Sequence, residues 1–229
     1  MLCGKLEINK KMQKNYLMVF VKNLLPGTVK TRIAKDIGMD AALEVYKELL
    51  NYTAEVVDKV EDENLDKGIY YNQYVERYDD WDSEKYQKHV QEGKTLGEKM
   101  LNAFTEAIER GYSKVVIIGS DTLEIEPEHI KQAYEALDKH DVVFGPAEDG
   151  GYYLLGMNNI FPALFEEKEF SHEHVLNEAL DEVEKWGMSF HMLDKLHDID
   201  TMEDLKRAGY EVIYEDDEEL GAGGEEDFG

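Results

Sequence analysis

"KVVIIGSDT", Lys114 to Thr122, decides the architecture. Val115, Val116, Ile117 and Ile118 put an apolar side chain at every position. A strand with one wet face alternates apolar and polar residues, so an unbroken run means that both faces are covered. Helices on both sides of a mostly parallel sheet provide that cover, which places the chain in the α/β class. The run breaks at Gly119 and delivers Asp121 just past the strand. In open sheets of this kind, ligands bind beyond the carboxyl ends of the strands.

The flanking pattern agrees. Strands are predicted over residues 16–21, 69–74, 115–118, 142–144, 152–157 and 188–193, each short, apolar and ended by turn residues. Between them lie helical repeats. Asp40 is the expected N-cap of a helix over 41–57. Leu96, Met100, Ala103, Phe104, Ala107 and Ile108 share one helix face, and Gly111 ends it. Pro127 opens a helix to about residue 140. Ser171 caps one to about residue 186, and Thr201 caps a short last helix to about residue 208. Residues 61–67 read as a charged turn, and 79–93 as a polar, irregular segment. The expectation is a Rossmann-like, three-layer α/β/α domain with right-handed crossovers.

The bulk numbers bound the function. The 229 residues carry a formal charge of −26 and are 42% hydrophobic, enough for a substantial core. That charge disfavours nucleic acid and anionic membrane as partners. The single cysteine, Cys3, rules out an intramolecular disulfide and a Cys-rich zinc site. No stretch approaches the roughly 20 apolar residues of a membrane span, and the first 14 residues hold no apolar signal core, so the expected location is cytoplasmic. The expected organisation is a leader over 1–15, one domain over 16–210 and an acidic, Gly-rich, disordered tail over 211–229.

Basic residues concentrate in the loop after the first strand, where Lys22, Lys30 and Arg32 accompany Gly27, Thr28 and Thr31. Acidic residues follow the later strands: Asp121 after Gly119-Ser120, Asp149 before Gly150-Gly151-Tyr152, and Asp198 and Asp200 beside His197. Lysine and arginine neutralise phosphate oxygens, arginine as a bidentate fork. Gly27 lets backbone N–H groups approach an anion. Carboxylates cannot hold phosphate directly, but they hold a Mg²⁺ that does. Each motif alone has a blander explanation: a solvated basic loop, a hairpin turn at Asp149-Gly150-Gly151, and helix caps at Asp198 and Asp200. The loop is no P-loop, because the Gly-Lys-Ser/Thr order is absent. Their convergence at strand ends carries the functional reading, in which cations cradle a di- or triphosphate and acids across the rim hold its metal.

With these residues in place, the chain resembles the selenodomain-associated transferases, a domain of unknown function within the nucleotide-diphospho-sugar transferase superfamily with its GT-A fold. The resemblance runs from Leu17 to Ala208. It rests on Lys22 with Gly27-Thr28-Val29-Lys30-Thr31-Arg32, on Leu96-Gly97-Glu98-Lys99-Met100, on Gly119-Ser120-Asp121, on the long run from Gly145 to Gly156, and on Asp198-Ile199-Asp200-Thr201-Met202-Glu203-Asp204-Leu205. Leu24 and Leu123 stand where the family has proline.

The resemblance implies roles. Lys22, Gly27, Thr28, Lys30, Thr31, Arg32, Gly119 and Ser120 bind the nucleotide. Asp121, with Asp200 and then Asp198, holds Mg²⁺ or Mn²⁺. Asp149, Gly150, Gly151 and Tyr152 contact substrate. Lys30, Arg32, Asp121 and Asp149 do the chemistry. The expected function is a metal-dependent glycosyltransferase that moves the sugar of a nucleotide-sugar donor to a small acceptor as the nucleoside diphosphate leaves. The alternatives are nucleotidyl transfer from a nucleoside triphosphate to a small phosphorylated acceptor, and a nucleotide-binding protein without catalysis.

Overall fold

The computed structural model of the chain describes residues 14–166, 168–170 and 172–210. The leader up to residue 13, the tail from 211, Cys3 and the expected cap Ser171 lie outside them.

Seven strands form one sheet in the order β3-β2-β1-β4-β6-β5-β7. They are β1 Asn15–Val21, β2 Leu65–Tyr71, β3 Tyr86–Val90, β4 Val115–Ile118, β5 Val142–Pro146, β6 Tyr152–Met157 and β7 Phe190–Met192. All neighbours are parallel except β6, which runs antiparallel to β4 and β5. The decisive run is β4, the central strand, buried at all four positions. The helices are α1 Ala34–Ile37, α2 Met39–Asp58, α3 Leu96–Glu109, α4 Pro127–Ala136, α5 Val175–Lys185 and α6 Met202–Arg207.

Strand periodicity divides the core in two. Leu17, Val19, Val116 and Ile118 face a cluster that includes Val56, Val57, Ile130 and Ala133 of α2 and α4. Tyr16, Met18, Val115 and Ile117 face one that includes Phe104 and Ala107 of α3 and Ala179 and Val183 of α5. The three-layer α/β/α expectation therefore holds. A third cluster lies under the loop after β1, where Val29 and Ile33 pack with Tyr46 and Leu49 of α2 and with Ile199 and Leu205 at the end of the chain.

Some expected elements shift. Asp40 does not cap α2: it lies in the helix's first turn, after Gly38, where its charge favours the helix's positive end. The second strand begins at Leu65, inside the expected charged turn, because Asp66 pairs with Lys14 and the Lys67 ammonium donates to the Val57 carbonyl. β3 occupies part of the expected irregular segment. It pairs only with β2, so Gln87, Lys88 and His89 need not be apolar. The reversal at β6 has a topological effect: its start, like the ends of the six parallel strands, lies on one rim of the sheet.

Candidate functional site

The loop after β1 is fixed at two apolar points, Val29 and Ile33, both buried in the third cluster. Burying such side chains contributes roughly 1.5–3 kcal/mol each. Between them Lys30 adopts φ +45°, the only left-handed non-glycine among the described residues. That conformation costs roughly 1–2 kcal/mol and turns the side chain inward. Lys30 Nζ lies 2.5 Å from Asp121 Oδ1 and 3.2 Å from Asp200 Oδ1. The Lys30 side chain is 3% exposed, whereas that of Arg32, two residues on, is 70% exposed and reaches only 3.9 Å from Asp200.

Each acid arrives by its own route. Gly119, Ser120 and Asp121 follow β4 directly, and the Asp121 carbonyl accepts from Ile199 N–H at 2.7 Å, which ties the last loop to this one. Ser120 Oγ lies 3.0 Å from the Tyr46 hydroxyl, which in turn accepts from Lys22 N–H at 2.8 Å. Asp149 caps its own turn in the β5–β6 hairpin, accepting from Gly151 N–H at 2.8 Å. Gly150 is required there: its φ is +90°, and a Cβ would fall 2.0 Å from the Glu173 carbonyl oxygen. Thr201 and Asp204 form a reciprocal cap on α6, which holds Asp198 and Asp200 just ahead of the helix.

These loops enclose a cavity of about 440 Å³. Lys22, Gly119, Ser120, Asp121, Asp149, Gly151, Tyr152, Asp198 and Asp200 all line it. Gly27, Thr28, Lys30, Thr31, Arg32 and Gly150 are not in its lining, and Lys30 meets the cavity only through its ion pairs with Asp121 and Asp200. Asn72, Gln91, Lys99 and Phe170 line it too, although none of them is among the expected site residues. His197 belongs elsewhere, 3.1 Å from Glu124.

The electrostatics follow from that crowding. Burial pushes the Lys30 ammonium towards neutrality, but Asp121 and Asp200 outweigh it and hold its pKa above the ordinary lysine value. Burial likewise pushes Asp121 up, and Lys30 and Lys22 outweigh it, so Asp121 stays below the usual carboxylate value. For Asp198 the same Lys30 charge is outweighed. Burial, followed by the fields of Asp121, Asp149 and Asp200, pushes it up to about 7.

Among the described residues no three His, Cys, Asp or Glu side chains already converge as a metal site. The donor set nonetheless fits a hard cation. Asp121, Asp198 and Asp200 offer carboxylate oxygens at one cavity, and a positive charge, the Lys30 ammonium, already bridges two of them.

The chain is similar to solved structures across most of its length. With a protein from Desulfovibrio desulfuricans G20, assigned provisionally as a nucleotide-diphospho-sugar transferase, it shares 28% identity at a TM-score of 0.75, covering 86% of each chain. With 4-diphosphocytidyl-2C-methyl-D-erythritol synthase from Anaerococcus prevotii the identity is 12% and the TM-score 0.52, over 86% of this chain and 95% of that one. With Rv0371c from Mycobacterium tuberculosis H37Rv, solved as a manganese complex, they are 12% and 0.52, over 85% and 97%. The last two likenesses show the fold alone. No curated protein matches the chain. A family model matches residues 56–172, half of the sequence, and the chain thereby belongs to DUF2064, the family described as an uncharacterized protein conserved in bacteria.

Proposed function

We propose that the protein is a nucleotide-dependent transferase whose rim cavity grips the diphosphate of a nucleotide donor. One observation carries this reading: Lys30 is buried between Asp121 and Asp200, so the first loop and two distant acidic loops meet at one point. Lys30 and Lys22 bind phosphate oxygens, and Arg32 approaches from the exposed side. Asp121 and Asp200, with Asp198, hold Mg²⁺ or Mn²⁺. When bound, the ion neutralises charge on the departing phosphate oxygens. Asp149 accepts the acceptor's proton through the carboxylate oxygen that its own turn leaves free. The catalytic gain is placement and charge neutralisation around the leaving group.

The lead substrate is a nucleotide sugar, as the name of the Desulfovibrio relative suggests. One feature favours nucleotidyl transfer from a triphosphate instead: Asp121 stands alone, with Gly119 and Leu123 two residues to either side, where a paired metal-binding acid would sit. Product analysis separates the two. Nucleoside diphosphate released from a nucleotide sugar supports glycosyl transfer, and pyrophosphate released from a triphosphate supports nucleotidyl transfer. A protein that binds nucleotides but turns over neither donor class, across a broad acceptor set, is a binding protein, and the catalytic reading then fails.

A further inference from the structure

Two amides in the cavity lining, Asn72 and Gln91, have orientations fixed by backbone groups, the first through a third amide, Asn23, that lies outside the lining. Asn23 is buried, and its Oδ1 accepts from the N–H groups of Gln73 and Tyr74 at 3.1 and 3.3 Å. Its Nδ2 donates to the Tyr74 carbonyl at 2.9 Å. Asn23 N–H donates to Asn72 Oδ1 at 2.7 Å. A backbone N–H can only donate, so Asn72 must direct its oxygen there and its two amide N–H groups elsewhere. Gln91 Nε2 donates to the carbonyls of Val21 and Tyr70 at 3.1 and 2.8 Å. A carbonyl can only accept, so the Gln91 amide cannot be turned over, and its Oε1 faces away from both.

Two groups are left without a protein partner among the described residues: the Asn72 donors and the Gln91 acceptor. Both residues line the cavity. They are also neighbours. Tyr71 and Val90 are register partners of β2 and β3, so Asn72 and Gln91 are the next residues past the paired ends, on strands roughly 4.8 Å apart. Gln91 N–H donates to the Tyr71 carbonyl at 2.8 Å, which continues the ladder to that point. Phe20 and Val21 of β1 line the same cavity and add an apolar flank.

We propose that Asn72 and Gln91 form a locked donor–acceptor pair that reads the polar edge of the nucleotide's base, an inference that rests on the nucleotide reading of this cavity. A nucleobase is a flat ring whose edge carries an acceptor beside a donor. It pairs with Asn72 Nδ2 and Gln91 Oε1 while the diphosphate lies towards Lys22 and Lys30. Because neither amide can flip, the pair selects rather than adapts. A ligand that offers the reverse order leaves a donor facing a donor, and unpaired polar groups make such mismatches costly.

The test is calorimetric binding of ADP, CDP, GDP and UDP, with inorganic pyrophosphate as the probe without a base, to the full chain in the presence of Mn²⁺. The wild type is expected to rank the bases, with best and worst at least about tenfold apart. Asn72→Asp keeps the oxygen that Asn23 needs but replaces two donors by an acceptor. It is expected to weaken the preferred nucleotide about tenfold and to reorder the four. Pyrophosphate binding changes far less, and the melting temperature shows that the variant folds. Gln91→Met, which removes the acceptor, is the second variant and is expected to compress the ranking. Equal weakening of all four nucleotides and pyrophosphate in Asn72→Asp, or an unchanged ranking in both variants, overturns the inference. Pyrophosphate binding with no ranking of bases by the wild type also overturns it, leaving the site reading intact. No binding of any of the five probes overturns both.

Discussion

The cavity has two ends built on opposite principles. At one, Asp121, Asp198 and Asp200 line the cavity with Lys30 buried against two of them, its backbone strained, and the Asp198 carboxyl is pushed up to about 7. At the other, Asn72 and Gln91 carry no charge, and hydrogen bonds to the backbone, with Asn23 behind Asn72, set their orientation. The charged end responds to ions, protons and phosphate. The amide end responds only to shape and donor order. A site divided in this way can separate grip from choice.

The largest expected effect comes from breaking the charged end. Asp121→Ala should lower turnover of the working donor by about a hundredfold or more, in line with the roughly 2.7–4 kcal/mol carried by a single preorganised charge contact. The steady-state rate with Mn²⁺ measures it, and an unchanged rate would remove Asp121 from the chemistry. Next comes the amide end. Asn23→Ala should lower stability by about 2 kcal/mol, because it strands N–H groups at Gln73 and Tyr74, and urea unfolding reads it directly. If Asn23→Ala costs more activity than stability, the two ends are less separate than drawn here.

The contrast also has a pH signature. Asp198 binds its proton more tightly in the folded protein than in the unfolded chain. Its contribution therefore favours the fold below the ordinary carboxylate pKa and is lost as pH rises towards about 7. In chelator, wild-type stability should fall over that window, and Asp198→Asn should flatten the fall. A parallel pair of melting-temperature profiles would refute the assignment. The smallest effect belongs to Arg32→Ala. An exposed ion pair at 3.9 Å contributes at most about 1 kcal/mol, so the melting temperature should barely move. Nucleotide affinity should drop modestly, and less at high salt.

How much of this could be read from the chain alone differs from residue to residue. β4 was legible because a strand covered on both faces is apolar throughout, and Asp121 because it is the first acid past the end of that strand. The cap at Thr201 was legible from its residue type just ahead of the helix, and the structure adds Asp204 as its reciprocal partner. β3 was not: an edge strand pairs on one side only, so its polar composition matches that of a loop. Gln91, which follows β3, disappeared with it. Lys30 and Arg32 looked alike in sequence, two cations in one turn. What separates them is the burial of Val29 and Ile33 under the loop, a contact with residues about 170 positions away. Asp40 had the right chemistry for a cap but lay one residue inside the helix, because Gly38 makes the entry turn through its backbone.

The third apolar cluster has a consequence of its own. Ile199 and Leu205 pack beneath the loop that carries Lys30, so α6, the last helix among the described residues, is a wedge that sets the height of the loop after β1. Damage to the loop after β1 or to α6 would therefore be felt at the same point, as a loosened seat for Lys30, with the sheet between them untouched.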